Sequence, residues 1–389
     1  MTIGIIMIKV CFIRGKYLNN FEGQNYLFNR KDIQFTAVSS LFPLHRRFPF
    51  PVQKLTSPVD LPFFNRGIKY LGNRILGDSH MLFGLDELSN KFDVFHTADP
   101  HYYYSYQLAK LRKKNLIKTL IATSWETIPF NNESIGKKKL IKHFSLKHID
   151  YFICHTEKAK KTLIAEGVNG RKIELVRLGV DLTRFKPNFV NNKNITILFV
   201  GRLVEEKGIL DLYEAYKNIK YQISNLKSLP RWQAGKTKIL KLRIVGDGPL
   251  RDYLLDHIEL DKLIDNVTIE QKDYEEMPKV YEEADIFVLP SKRTNTWEEQ
   301  YGMVLVEAMA SGLPIIAYNT GVIPEIVGSA GVLIKEGDRK NLFTSIKHLI
   351  NVGEHRDKLG KMGRKRAEKE FDAKKTANKI KDIYIKSLI

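Results

Sequence analysis

The chain has 389 residues, of which 43% are hydrophobic and 28% are charged. This composition is typical of globular proteins and excludes a disordered or fibrous chain. The length exceeds one ordinary core and fits two domains of about 150–200 residues each. No apolar run reaches the roughly 18 residues that a bilayer-spanning helix needs. Cys11 and Cys154 both lie in apolar runs, so we expect buried, reduced thiols and neither a disulfide nor a metal pair.

The formal net charge is +19, and most of it lies in the first half of the chain. Residues 1–190 carry a net charge of +15 and the remaining residues carry +4. A basic half predicts contact with an anionic surface or acceptor. Nucleic acid and an anionic membrane leaflet both satisfy this prediction, and charge alone does not choose between them. The basic half shows no helix-turn-helix pattern, zinc-ligand spacing or basic strand interleaved with aromatics, so no nucleic-acid partner is predicted and a nucleic-acid-binding module is the remote alternative.

Apolar strands alternate with helical stretches in the first half, which predicts a parallel sheet covered by helices. The opening apolar run lacks the basic flank and cleavage site of a signal peptide, so we interpret it as a strand that begins at Met7. Residues 1–6 are interpreted as an extension from an upstream start codon, and the choice between Met1 and Met7 stays open. The segment 41–88 fits no element, whereas 131–148 predicts a helix with a basic face. The predicted strands are MIKVCFI, FDVFHTA, TLIATSW, YFICHT and KIELVRLGV.

A proline and a cluster of asparagines near residue 186 predict a linker between two domains. We assign residues 1–187 to the first domain and 188–372 to the second, and we expect 373–389 to pack back on the first. Two open α/β domains joined in this way are expected to form a cleft between facing strand carboxyl ends, where such sheets bind ligands. The predicted strands of the second domain are NITILFVG, LRIVGDGP, NVTIEQ, ADIFVLPS, LPIIAYN and GVLI.

Two cations follow the first strand of the second domain, in FVGRLVEEKG. The strand ends at Gly201, and Arg202 and Lys207 flank a short loop that opens a helix. Free backbone N–H groups and the positive end of a helix dipole favour phosphate. The planar fork of arginine and the point charge of lysine together suit a diphosphate. The alternative is an ordinary solvated loop with surface cations.

Two glutamates separated by seven residues occur in EEQYGMVLVEAMASGLP. We place Glu299 just before a helix that runs from about Gly302 to Ala310, and Glu307 about one turn inside that helix. Backbone N–H groups at its start would face the same ligand. Carboxylates at this spacing can bind two hydroxyl-bearing parts of one ligand, and the alternative is a solvated helix face.

Glycines also open two further helices in the second domain. In IVGDGPL, residues 244–250, a strand leads through a turn into a helix with Pro249 in its first turn. Gly246 and Gly248 would let a ligand approach the backbone, although a turn without function is the alternative. The segment TGVIPEIV, residues 320–327, begins in the same manner.

In this order, the motifs resemble those of the retaining glycosyltransferases of family four. The resemblance covers nearly all of residues 195–330 and continues more weakly back to FDVFHTADPHYYYSYQLAKL. It implies the α/β fold called GT-B, with two Rossmann-like domains whose parallel sheets face a central cleft. It also implies a hexosyltransferase that uses a nucleotide-diphosphate sugar, a UDP- or GDP-sugar, as substrate. No cofactor and no metal are implied, because Arg, Lys and helix dipoles neutralise the diphosphate.

The resemblance further implies roles for single residues. Arg202 and Lys207 would hold the donor diphosphate and stabilise its charge as it departs, so both are predicted to be catalytic. Glu299, also predicted to be catalytic, would orient the transferred sugar, and Glu307 would hold the ribose hydroxyls. Retention by a front-face route, in which the leaving diphosphate helps to deprotonate the acceptor, is likewise implied. The other predicted donor-binding residues are Gly201, Gly246, Tyr301, Gly302, Met303 and Val304.

The first domain departs from the family pattern where the acceptor would bind. Many relatives carry two adjacent glycines after the first strand, whereas Gly15 and Gly23 are separated here. Many also place a histidine where this chain has Trp125. His96 is equally open to a structural role and to a role in the acceptor site. The predicted acceptor-side residues are Glu22, Gly23, Asn25, His96, Trp125 and Glu126.

The sequence therefore predicts a cytoplasmic enzyme of glycan biosynthesis, peripheral at the inner face of a membrane, that acts on a glycan or a lipid-linked glycan. Arg46, Arg47, Lys137–Lys139 and Lys142 would contact anionic lipid, and general solvation of a lysine-rich chain is the alternative. The alternative enzymes are other GT-B proteins, such as a sugar-nucleotide epimerase or a soluble disaccharide synthase.

Overall fold

A computed structural model describes residues 7–29, 31–61, 77–188, 194–226 and 239–389. The predicted extension, residues 1–6, lies outside the described residues. Contacts divide the chain into two compact units, Met1–Gly179 with Ala373–Ile389 and Val180–Asp372. The second unit thus begins at Val180, earlier in the chain than the boundary predicted at residue 187. Val180 belongs to this unit because it pairs with Asp372 and its N–H bonds to the Phe371 carbonyl at 2.9 Å.

The first unit is built on a parallel sheet of seven described strands. Five of them coincide with predicted strands. The other two were not predicted, since one is a short edge strand within the segment 41–88, which fits no predicted element, and the other mixes polar with apolar residues. The strands are β1 (Ile8–Ile13), β2 (Ile33–Ser39), β3 (Val52–Lys54), β4 (Val94–Thr97), β5 (Thr119–Ser124), β6 (Tyr151–Cys154) and β7 (Ile173–Leu175), in the order β3-β2-β1-β4-β5-β6-β7.

Side chains of this sheet alternate between two buried clusters, as successive residues of a strand do. Cys11 and Ile13 pack in one cluster, and Val10 and Phe12 pack in the other. Both cysteines are free and fully buried, as expected. The helices before the crossing to the second unit are α1 (Asn20–Gly23), α2 (Tyr103–Lys113), α3 (Gly136–His148) and α4 (Glu157–Ala165), with 3-10 turns at Gly15–Tyr17, Gln24–Tyr26, Pro58–Asp60, Leu85–Leu88 and Gly170–Lys172.

Helix α3 confirms the predicted helix with basic residues, but one of these lysines is not exposed. Lys142 is buried, and its ammonium lies 2.6 Å from Oε1 of Glu166 and 3.2 Å from Oε1 of Glu133. Its prediction as a lipid-facing residue is therefore wrong, because a lysine that forms two ion pairs inside the fold cannot also reach a surface.

The second unit contains a parallel sheet of six described strands, and all six coincide with predicted strands. They are β8 (Ile195–Val200), β9 (Leu240–Val245), β10 (Val267–Glu270), β11 (Ile286–Leu289), β12 (Ile315–Tyr318) and β13 (Gly331–Ile334), in the order β10-β9-β8-β11-β12-β13. Pro249 lies in the turn before its helix, not in the first helical turn as predicted. The helices are α5 (Ile209–Leu226), α6 (Arg251–Leu260), α7 (Met277–Glu282), α8 (Met303–Ala310), α9 (Ile323–Val327), α10 (Arg339–Asn351) and α11 (Gly353–Glu370), with 3-10 turns at Glu205–Lys207 and Gly328–Ala330.

The last helix, α12 (Ala373–Lys386), belongs to the first unit. Ile380, Ile383 and Tyr384 enter the buried cluster that contains Val10 and Phe12. Across the residues that the structure describes, no helix combines the length and the apolar character needed to cross a membrane.

The strand order reverses once in each sheet. The reversal lies between β1 and β4 in the first unit and between β8 and β11 in the second. Open parallel sheets bind ligands outside the carboxyl ends of their strands at this point. A functional site is therefore expected at the loops that follow these four strands.

Candidate functional site

The loop after β8 is held close to the end of β11. Its 3-10 turn, Glu205–Lys207, is followed by Gly208 with φ of 68°. A Cβ at Gly208 would overlap the carbonyl oxygen of Pro290, so only glycine allows this approach. The backbone N–H of Lys292 also bonds to the carbonyl of Glu206 at 2.8 Å. The two loops at the switch point are thus fixed against each other.

These two loops bring Lys207 and Glu299 into direct contact. Nζ of Lys207 lies 2.7 Å from Oε2 of Glu299, and Oγ of Ser291 donates to the same oxygen at 3.1 Å. Nζ also lies 4.8 Å from the ring centroid of Trp297. Because the lysine and glutamate side chains are only 13% and 9% exposed, their charges are poorly screened and their geometry is well defined. Sequence reasoning missed Ser291 and Trp297, since the spacing pattern contains only charged residues and glycines.

Arg202 is not brought to this ion pair. Its side chain is 61% exposed, and Nη2 lies 3.4 Å from Oε1 of Glu206 on the same loop. An exposed pair of this kind is worth little, so an incoming anion can displace the carboxylate. Gly246 allows the loop after β8 to approach closely, because a Cβ at this position would overlap the carbonyl oxygen of Gly201. Its small size is therefore required by the protein backbone, independently of any ligand.

Helix α8 begins at Met303, close to the start predicted at about Gly302, and its first turn lies beside the ion pair. Gly302 precedes the helix with φ of 75°, and a Cβ built there would lie 3.5 Å from Cγ of Glu299. The N–H groups of Met303 and Val304 open the helix, where no intrahelical carbonyl is available to them. Tyr301 is buried just before them. The site thus combines a cation, a carboxylate and the positive end of a helix.

Glu307 lies in the second turn of α8 and is only 3% exposed. The hydroxyl of Tyr281 donates to its Oε2 at 2.7 Å. Burial raises the pKa of Glu307 to about 7, against smaller lowering effects of the Tyr281 hydrogen bond and the charge of Arg184. The carboxyl group is therefore partly protonated at neutral pH. Sequence reasoning missed Tyr281 because it belongs to a separate helix, α7, and no spacing connects it with Glu307.

The Glu307→Gln variant should be more stable than the natural chain at high pH. Because the pKa of Glu307 is higher in the folded state than in the unfolded state, the natural chain loses unfolding free energy as pH rises from about 4.5 towards 7. Glutamine does not titrate and keeps an acceptor for Tyr281. We expect its advantage in unfolding free energy to grow from near zero at about pH 4 to about 3 kcal/mol at pH 8, measured by urea unfolding. An advantage that does not change with pH would contradict this assignment.

In the first unit, a buried polar network joins two of the predicted acceptor-side residues. Arg14 follows β1, and its Nη2 and Nε donate to the two carboxylate oxygens of Glu22 at 2.7 and 3.1 Å. Nη2 also donates to Oγ1 of Thr123, which lies 2.7 Å from Nε2 of His96. Nδ1 of His96 lies 2.7 Å from the hydroxyl of Tyr384. Burial and the charge of Arg14 lower the pKa of His96 well below its usual range, so the ring is neutral.

Two neighbours of Glu22 anchor their own segment. Nδ2 of Asn25 donates to the carbonyl of Glu22 at 3.2 Å, and Oδ1 accepts from the N–H of Gly179 at 2.7 Å. Gly23 is packed so that a Cβ would lie 3.1 Å from the ring of Phe50. In this structure these residues hold the loop in place, and their contact with an acceptor stays a prediction.

The carboxylate of Glu126 organises the loop after β5. Oε1 accepts from the backbone N–H groups of Thr127 and Ile128, both at 3.0 Å. Oε2 accepts from the side-chain amides of Asn131 and Asn132 at 2.9 and 3.0 Å. Burial raises its pKa despite these donors. Both oxygens are therefore already engaged by the loop itself.

Trp125 lies beside an acid that sequence reasoning missed. Its backbone N–H donates to Oδ1 of Asp99 at 2.9 Å, and its ring packs edge-on against His155 with centroids 4.7 Å apart. Burial raises the pKa of Asp99 to about 7. The signal that could have revealed Asp99 is its position two residues after β4, at the carboxyl edge of the sheet.

Two family models match this chain. Residues 181–366 match the model described as Glycosyl transferases group 1, and residues 42–184 match the model described as Glycosyltransferase Family 4. Together they cover most of the chain.

The chain belongs to glycosyltransferase family four. Curated relatives similar to this family-four protein include the sulfoquinovosyl transferase SQD2 of Arabidopsis thaliana, 29% identical over 57% of this chain and 42% of that protein. The capsular polysaccharide biosynthesis glycosyltransferase CapM of Staphylococcus aureus is 29% identical over 62% of this chain and 59% of its own length. The chain thus spans about half the length of the curated relatives it matches.

Solved structures with the same fold extend the likeness to both units. The crystal structure of Anabaena HepE in complex with UDP and glucose superposes with a TM-score of 0.70 at 16% identity, covering 97% of this chain and 99% of that one. This likeness and the two parallel sheets confirm the predicted GT-B fold. In this family-four glycosyltransferase, the group 1 match falls within the second unit, Val180–Asp372. That unit carries Lys207, Glu299 and Glu307.

Proposed function

We propose that this family-four protein transfers a hexose from a nucleotide-diphosphate sugar to a glycan or lipid-linked glycan, with retention of configuration and without a metal. The observation that carries the proposal is the contact between Lys207 and Glu299 at the switch point of the second sheet, 2.7 Å between charged atoms. The contact lies beside the start of α8. A diphosphate is bound by a cation and free N–H groups, whereas the hydroxyls of a sugar are bound by a fixed hydrogen-bond acceptor such as a carboxylate.

Each part of the nucleotide-sugar donor is assigned to particular residues of the second unit. Lys207 and Arg202 bind the diphosphate with the backbone at Gly201, and Gly246 lies beside that backbone. Glu299, oriented by Lys207, accepts from hydroxyls of the sugar, and Glu307 accepts from the ribose. The backbone of residues 301–304 meets phosphate and sugar. UDP-glucose is the first donor to test, because HepE was solved with UDP and glucose, and GDP-sugars are the second.

The reaction runs by a front-face route. An acceptor hydroxyl oxygen forms the new bond to the anomeric carbon on the face from which the diphosphate leaves. The bond between that carbon and the phosphate oxygen breaks, and the phosphate oxygen takes the hydroxyl proton. Negative charge grows on the diphosphate in the transition state, so Lys207 and Arg202 accelerate the step when they stabilise it more there than in the ground state.

The first unit takes the acceptor, and we place the enzyme in the cytoplasm, peripheral at the inner face of a membrane. Arg46, Arg47, Lys137 and Lys139 are exposed in this unit. Each exposed cation of this kind is worth about 1 kcal/mol near an anionic leaflet. Lys142 does not contribute, because its charge is paired inside the fold.

The proposal is tested by incubating the chain with radiolabelled UDP-glucose or GDP-mannose and a lipid extract, with and without EDTA. We expect label to enter the organic phase at the same rate in both samples. Epimerised free nucleotide sugar, or label confined to a water-soluble disaccharide, would favour another GT-B enzyme. Loss of transfer with EDTA that added magnesium restores would show that the metal-free route is wrong. Thermal shift across UDP-, GDP- and ADP-sugars identifies the base that the donor carries.

A further inference from the structure

A buried aspartate–histidine pair in the first unit includes none of the predicted site residues. Nδ1 of His80 lies 2.8 Å from Oδ1 of Asp78, and the two side chains are 6% and 3% exposed. The backbone N–H of Tyr103 donates to the other oxygen of Asp78 at 2.8 Å. Burial alone would raise the pKa of Asp78, but the hydrogen bond and charge of His80, with the Tyr103 N–H, lower it to about 2. Asp78 is therefore an ionised acceptor.

An ionised carboxylate can only accept, so Nδ1 of His80 must donate to it. Nε2 is then the ring nitrogen left for a ligand hydroxyl, and it accepts from that hydroxyl when the ring is neutral or donates to it when the ring is charged. Among the described residues, none bonds to Nε2 of His80. The pair thus has the arrangement in which an aspartate fixes the tautomer of a histidine and leaves its outer nitrogen available.

Two partly exposed tyrosines surround this histidine. The ring centroid of Tyr17 lies 5.1 Å from that of His80, and the centroid of Tyr102 lies 5.3 Å away in an edge-on arrangement. The two tyrosine rings are themselves 5.5 Å apart. Aromatic rings with polar tips offer both an apolar face and hydrogen-bonding groups. A sugar ring, with apolar C–H faces and hydroxyls at its edge, is complementary to such a group.

The aromatic group lies at the switch point of the first sheet. Tyr17 ends the 3-10 turn that directly follows β1, and Tyr102 precedes α2 in the connection after β4. Strands β1 and β4 are the neighbours between which the order reverses. Ligands of open parallel sheets bind at this edge. The position therefore points to a ligand site independently of the side chains.

The segment that carries the pair is fixed to α2 at three places. Besides the bond from Tyr103 to Asp78, the N–H of Tyr104 bonds to the carbonyl of His80 at 3.2 Å. The side chain of Gln107 then accepts from the N–H of Leu82 and donates to its carbonyl, at 3.0 and 2.8 Å. A binding group held this firmly loses little entropy when a ligand arrives.

We propose that His80, oriented by Asp78, binds a hydroxyl of a sugar ring of the acceptor through Nε2, while Tyr17 and Tyr102 pack against that ring. This inference rests on the proposed function, because a glycan acceptor is needed only if the chain transfers a sugar. It replaces the predicted acceptor-side carboxylates Glu22 and Glu126, whose oxygens are engaged within the fold, as the first residues to test.

A purely structural role for the pair would consist of holding the start of α2 through Asp78. The His80→Asn variant separates the two roles, because the asparagine amide nitrogen occupies nearly the place of Nδ1 and can still donate to Asp78. It has no atom in the place of Nε2. Tyr17→Ala is the second variant, since Tyr17 is partly exposed and its loss leaves the pair intact. His257→Asn is the matched control, because His257 lies on α6 and stacks on Tyr253 in the other unit.

The experiment measures binding of methyl α-D-glucopyranoside, galactopyranoside and mannopyranoside to the full chain saturated with UDP or GDP, by saturation-transfer NMR. We expect the natural chain and His257→Asn to bind at least one glycoside equally well. We expect His80→Asn and Tyr17→Ala to bind it about fivefold to tenfold more weakly, with unchanged nucleotide affinity and melting temperature.

Glycoside binding that neither variant weakens would overturn the inference, and so would a nucleotide-bound chain that binds none of the three glycosides. In the second case the proposed function stands, since donor binding is intact. A chain that binds neither UDP nor GDP contradicts the proposed function itself and removes the basis of this inference. A weaker His80→Asn variant whose melting temperature also falls would assign the pair to a structural role.

Discussion

Replacing Lys207 with alanine is expected to abolish sugar transfer while the chain stays folded. The variant removes the cation that we place on the departing diphosphate, and it also removes the partner that holds Glu299 in position. Loss of one preorganised group that stabilises transition-state charge lowers kcat by about 100- to 1,000-fold. Glu299→Ala should have a similar effect. The hydroxyls of the transferred sugar lose the carboxylate that accepts their hydrogen bonds, and Lys207 loses the partner that orients it.

Steady-state kcat and KM for the donor, with circular-dichroism melting of each variant, measure this effect. Lys279→Ala is the matched control, since Lys279 is a lysine of the same unit whose side chain is 78% exposed. It should retain full turnover. Near-natural turnover in either Lys207→Ala or Glu299→Ala would show that the donor site has been assigned to the wrong residues.

Replacing Arg14 with methionine is expected to destabilise the first unit by about 3–5 kcal/mol. The Arg14 side chain is 2% exposed and donates to Glu22, Thr123 and the carbonyl of Ile13. Methionine fills a similar volume but leaves the carboxylate of Glu22 buried without its cation. Breaking such a pair costs more than the pair itself contributes, because the remaining charge stays desolvated.

The double variant Arg14→Met with Glu22→Gln should recover part of this loss, because it removes the uncompensated charge. Lys118→Ala breaks an exposed pair with Asp93, 3.2 Å apart, and should change stability by about 0–1 kcal/mol at most. Urea unfolding with hydrogen exchange of the β1 and β4 amides reports on this unit alone. If Arg14→Met cost no more than Lys118→Ala, the network would have no structural role.

The second unit was predictable because its information is local in the sequence. Most of its strands, such as β11 and β12, are short apolar runs, as expected for strands of a parallel sheet that are buried on both faces. The contact of Lys207 with Glu299 follows from topology, since each residue lies in the loop after one of two adjacent strands, β8 and β11. The start of α8 was predictable from Gly302 and the run of helix formers after it.

The first unit was less predictable because its polar contacts join distant segments. Nothing in the sequence indicates that hydrogen bonds through Thr123 and His96 connect Arg14 with Tyr384. Lys142 has the spacing of a surface lysine, yet Glu166 lies 2.6 Å from its ammonium. Asp78 and His80 lie in a segment that matched no regular pattern. Partners of this kind are specified only by the folded backbone, and no sequence period encodes them.

The position of α12 also sets an order in which the two units can be completed during synthesis. The core of the first unit includes Ile380, Ile383 and Tyr384, although the rest of that unit precedes Val180. The second unit is continuous in the chain and needs no later residue for its sheet. A ribosome therefore delivers everything that the second unit requires before the first unit can close. Until then, His96 lacks its tyrosine partner, and the unit that begins first is finished last.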